Sequence, residues 1–102
     1  MKPKLVRDNI PRIIEESGGR CTTRQVHGAD EHMVFLKEKI IEEAQEFIEH
    51  PSYEEAADML EVVKAFCYLN GLDFDAVMRA SDAKASIRGG FKSGIILQGV
   101  QQ

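Results

Sequence analysis

The stretch IIEEAQEFIEHPSYEEAADML, residues 40–60, decides the fold of this chain. Apolar residues recur at helical spacing on both sides of HPSY, and Pro51 is a residue that ends helices. Ser52 is a natural N-cap for the segment that follows. The spacing predicts one helix over about 31–49, with Asp30 as its cap, and a second over about 53–69, closed by Asn70-Gly71. A four-residue connection makes them an antiparallel helical hairpin.

That geometry brings a doubled acidic phrase, EEAQEF at 42–47 and EEAADM at 54–59, around one turn. With a rise of roughly 1.5 Å per residue, Glu43 and Asp58 lie about equally far from the turn, and Glu46 and Glu55 form the next level towards it. At about 100° per residue, Met33, Val34, Leu36, Ile40, Ile41, Ala44, Phe47 and Ile48 fill one arc of the first helix. Lys39, Glu43 and Glu46 share a flank of that arc. On the second helix Glu55 falls within the apolar side and Asp58 at its edge.

A carboxylate on an apolar face is costly unless its charge is compensated. For Glu55 a structural explanation exists, because SYEE is a capping box with Ser52 at N-cap and Glu55 at N3. Acidic runs are also commonly solvated faces. Neither accounts for four acids turned to one seam, whereas a divalent cation does; carboxylate oxygens are what Mg²⁺ prefers.

Towards the N-terminus, NIPRIIEESGG reads as a short helix with Pro11 in its first turn, stopped by Gly18-Gly19. Residues 20–26 read as extended. Asp73 caps a further helix running to Ile87, broken by Gly89-Gly90, and residues 91–97 form an edge strand or tail that could pair with 20–26. The fold class is therefore mainly α, with at most a small β element from those two segments. A chain of 102 residues fits one domain, 1–102. Both hairpin helices have wider apolar arcs than one short neighbour covers, so the expectation is a homo-oligomer in which hairpins pair into four-helix bundles.

Composition narrows the function. A formal charge of −4 argues against a nucleic-acid polymer as partner. No apolar run is long enough to span a bilayer, and the charged start MKPKLVRDNIP has no secretory core, so the expected location is cytoplasmic. Cys21 and Cys67 form no CxxC pair, and Cys67 lies on an apolar stripe as a buried thiol. GGFKSG lacks the GK[ST] ending of a P-loop, and no GxSxG is present.

EEAQE followed by EEAAD resembles the ExxE…ExxD signature of the MazG-like, all-α nucleoside triphosphate pyrophosphatase superfamily, with Glu43, Glu46, Glu55 and Asp58 in the signature positions. KLVRDNIP and RGGFKSGIIL resemble its compact subgroup related to phosphoribosyl-ATP pyrophosphohydrolase, so the likeness runs from residue 4 to 97. Eight residues separate Glu46 from Glu55, fewer than in many such proteins, and Asn9 stands where relatives often carry lysine.

The resemblance implies hydrolysis of the α–β phosphoanhydride of a (deoxy)nucleoside triphosphate to monophosphate and pyrophosphate, as house-cleaning of the nucleotide pool. It implies Mg²⁺, with Mn²⁺ as a possible substitute, held by Glu43, Glu46, Glu55 and Asp58. It also points to a dimer or a dimer of dimers. Glu46 is the choice for general base, with Glu43 the other catalytic acid. Lys39, Lys84, Arg88 and Arg7 are candidates to bind the substrate, with Lys84 or Arg88 coming from a neighbouring subunit. Each has a structural alternative: a helix-surface ion pair for Lys39, the helix dipole for Lys84 and Arg88, anchoring of the N-terminal segment for Arg7. Rival functions are a non-catalytic helical interaction module and a phosphoribosyl-ATP pyrophosphohydrolase.

Overall fold

The computed structural model describes residues 2–101, and the described residues form four helices and no strand. They are α1 (Ile10–Glu16), α2 (Ala29–Glu49), α3 (Tyr53–Leu69) and α4 (Phe74–Arg88). The fold class read from the sequence holds, with the helical hairpin of α2 and α3 as its central element.

The chain divides into two compact units, one reaching Gly71 and one beginning at Leu72. In the first, α2 and α3 pack against each other. Ser52 caps α3, its hydroxyl oxygen accepting from the Glu55 amide at 3.1 Å. A Ser cap of this kind is worth about 1 kcal/mol. At the other end of α3 the Asn70 side chain donates to the Phe66 carbonyl at 2.8 Å and closes the last turn.

The start of α2 differs from the sequence expectation. Asp30 lies inside the first turn, and the N-cap position belongs to Gly28, whose φ of +99° is a conformation that side chains resist. The anchoring is done by Glu31. Its carboxylate accepts from the His27 amide at 2.7 Å and takes both arms of the Arg24 guanidinium, at 2.8 and 3.0 Å. Those contacts lower the Glu31 carboxyl to about 2, the Arg24 hydrogen bond contributing most and the His27 amide next. The same clasp holds residues 24–27 in irregular chain. A strand needs a paired neighbour, and neither 20–26 nor 91–97 forms one among the described residues.

Buried residues are few. Leu36 on α2 is 1 % exposed and Cys67 on α3 is 7 % exposed, and these two are the buried apolar residues among those described. Antiparallel packing puts them at about the same level, at the end of the hairpin away from the turn. Cys67 is thus a buried free thiol, as its place on the stripe predicts. The rest of the α2 arc is only partly covered: Val34, Ile41 and Ile48 remain exposed.

In the second unit, Asp73 caps α4 through the Asp75 amide, and Gly89 ends the helix with a φ of +79°. No residue of α4 is buried, and the segment after it carries exposed Phe91, Ile95, Ile96 and Leu97.

Candidate metal centre

The acids that the hairpin brings together are Glu43 from α2 and Glu55 and Asp58 from α3. One oxygen from each lies within 4.8 Å of the other two, and all three residues are half-buried. Local causes explain the arrangement. Glu55 and Asp58 stand three apart on one helical face, and Glu43 reaches them from α2 at the level that antiparallel packing dictates. The Ser52 cap fixes where α3 begins and with it the height of both α3 acids.

Glu43 is more enclosed than Asp58, its side chain 12 % exposed against 42 %. Burial pushes its carboxyl above the ordinary range, and the charges of Asp58, Glu42 and Glu55 push it the same way; Lys39 opposes them. Lys39 sits within ion-pair distance of two acids, 3.4 Å from Glu42 and 3.8 Å from Glu43. Glu42 did not figure among the sequence candidates, although its i,i+3 spacing from Lys39 is a usable signal.

Arg7 enters from the N-terminal segment. Its Nη2 donates to Asp58 Oδ1 at 2.7 Å, bridging 51 positions of sequence. Just upstream, Lys2, Pro3 and Lys4 line a shallow groove together with Glu38, Ile41, Glu42 and Gln45 of α2. The N-terminal segment therefore crosses from the flank of α2 to α3 as a strap. Of the two alternatives open for Arg7, the contact observed is with an acid of the cluster.

Glu46 stands apart from the three gathered carboxylates. It is exposed, as is every residue from Gln45 to Glu49 in the last turn of α2. Lys84 and Arg88 lie one turn apart on α4 in the second unit, both exposed.

The donor set consists of three carboxylates on two helices, a set of hard oxygens suited to Mg²⁺, Mn²⁺ or Ca²⁺ and not to soft metals. Around one octahedral Mg²⁺ ion opposite oxygens stand about 4 Å apart and neighbouring ones about 3 Å. Oxygens within 4.8 Å of one another reach that geometry by side-chain shifts on the order of 1–2 Å. The residues present fit a divalent cation.

No family model, no curated protein and no solved structure matches this chain.

Proposed function

We propose that this protein is a Mg²⁺-dependent nucleoside triphosphate pyrophosphatase of the MazG-like type. The observation that carries the reading is the convergence of Glu43, Glu55 and Asp58 from two helices, with Glu43 held where its own charge is disfavoured. Three acids pressed together with one of them enclosed is an arrangement that a divalent cation relieves. The ExxE…ExxD resemblance supplies the reaction.

In this reading Glu43, Glu55 and Asp58 hold the cation. Bound there, Mg²⁺, or Mn²⁺ in its place, neutralises phosphate oxygens and lowers the pKa of water. Glu46, exposed on α2 one turn beyond Glu43, takes the proton of the attacking water. The water oxygen bonds to the α-phosphorus, the α–β bridge breaks, and pyrophosphate leaves. Lys39 balances the acids and offers its ammonium to the phosphates. Lys84 and Arg88 are assigned to the polyphosphate on the resemblance alone.

Homo-oligomerisation belongs to the same proposal. Its support is the small number of buried residues and the uncovered face carrying Val34, Ile41 and Ile48. A cytoplasmic setting accords with two free thiols. Among the described residues no helix is long and apolar enough to cross a membrane.

The test is pyrophosphate release from a panel of nucleoside triphosphates and phosphoribosyl-ATP, with Mg²⁺, comparing the wild type with Glu43→Gln. Release abolished by EDTA and by Glu43→Gln is the expected result. A folded protein that releases nothing from any panel member and ignores Mg²⁺ overturns the proposal and favours a helical interaction module.

A further inference from the structure

The Arg7–Asp58 contact has a place within the proposed centre that neither the sequence pattern nor the resemblance assigns. We propose that Arg7 is a positioning residue, whose guanidinium fixes the Asp58 carboxylate for cation binding. The inference rests on the metal-centre reading above.

Asp58 has less support from packing than Glu43. Its side chain is 42 % exposed, against 12 % for Glu43, so packing alone does not hold it. An exposed carboxylate rotates, and a ligand that rotates binds a cation weakly. The 2.7 Å bond from Arg7 Nη2 engages Oδ1. A carboxylate has two oxygens and about four lone-pair directions, so Asp58 can serve Arg7 and a cation together. Ligating carboxylates are commonly held by an outer hydrogen bond of this kind.

The strap gives Arg7 its own footing. Lys2, Pro3 and Lys4 line a groove with residues of α2 before the arginine, and α1 begins at Ile10 shortly after it, with Pro11 in its first turn. Arg7 and Lys39 also divide the labour of charge. Lys39 balances Glu43 from within α2, and Arg7 balances Asp58 from outside the hairpin.

A positioning arginine and a competing one make opposite predictions. If Arg7 orients Asp58, its removal weakens cation binding; if Arg7 merely occupies the place of the cation, its removal strengthens it. The experiment is titration with Mn²⁺, followed by electron paramagnetic resonance and calorimetry, of the wild type, Arg7→Gln, Asp58→Asn and the double variant. Helical circular dichroism confirms that each is folded. The expected result is a loss of about 10–100-fold in Mn²⁺ affinity for Arg7→Gln. In the Asp58→Asn background the same change has no further effect, a non-additivity that a purely structural role does not produce.

Equal or tighter Mn²⁺ binding by Arg7→Gln, with the wild type binding normally, overturns the positioning role and leaves the metal centre standing. A further loss of similar size in the Asp58→Asn background does the same. Failure of the folded wild type to bind Mn²⁺ removes both.

Discussion

Lys39 and Glu43 stand one turn apart on α2, Nζ 3.8 Å from Oε1, with side chains only 17 % and 12 % exposed. A charge pair so withdrawn from water is not an ordinary helix-surface pair, and the excess of acids around it is unbalanced. The ionised form of Glu43 is therefore disfavoured in the fold.

The sign of its pH dependence follows. A carboxyl raised in the folded state binds protons more tightly there than in the unfolded chain. Its contribution to stability therefore falls as pH rises from the ordinary value of 4.5 through the raised folded value. Melting in EDTA should show this decline for the wild type, and Glu43→Gln should flatten it. A Glu43→Gln protein with an unchanged profile would show that burial at this position is without consequence.

Added Mg²⁺ should reverse the decline at neutral pH. At about 100 times its dissociation constant a ligand contributes about 2.7 kcal/mol. For a chain of this size the corresponding rise in Tm is on the order of 10 °C or more. Glu43→Gln and Asp58→Asn should lose most of it, and a shift of equal size in K⁺ at matched ionic strength would mark simple screening.

Glu31 behaves in the opposite sense. Its carboxyl is lowered to about 2 from 4.5, so its stabilising contacts are present above 4.5 and disappear as pH falls towards about 2. Glu31→Ala, which leaves no side-chain acceptor, should free the His27 amide, raising its hydrogen-exchange rate at pH 6 without altering exchange in α3. Unchanged protection at His27 would contradict the anchoring role.

Ser52→Ala should cost about 1 kcal/mol in urea unfolding. Because the cap fixes the start of α3, Mn²⁺ affinity should fall as well. Ser52→Asp, which caps equally well, should restore both.

Ile48→Glu tests the uncovered face. Ile48 is 76 % exposed, so a buried charge within one chain is not at issue. Sedimentation should report a smaller particle than the wild type; identical mass at every concentration would count against this face as the seat of the proposed oligomer.

The hairpin was legible because its punctuation is local: Pro51 and Ser52 sit between two runs of helical periodicity. Glu43, Glu55 and Asp58 were legible because antiparallel helices equate distance from the turn with height. The same logic assigned Glu46, which lies one turn nearer the loop and outside the group of three. Asp30 drew the cap because its side chain suits one, while the backbone at Gly28 set the helix start earlier. The Arg7–Asp58 bond, across 51 positions, leaves no trace in any local pattern.

The three-residue connection from His50 to Ser52 works as a ruler. It sets how far α3 can slide along α2, and a slide by one turn of about 5.4 Å parts Glu43 from both α3 acids. Lengthening that loop leaves every acid in the sequence and both helices intact, yet removes the alignment on which the cluster depends. Such a chain keeps its spectrum of helix and its acidic residues and loses the cluster. Loop length at 50–52, more than the presence of the acids, thus decides whether the three carboxylates meet.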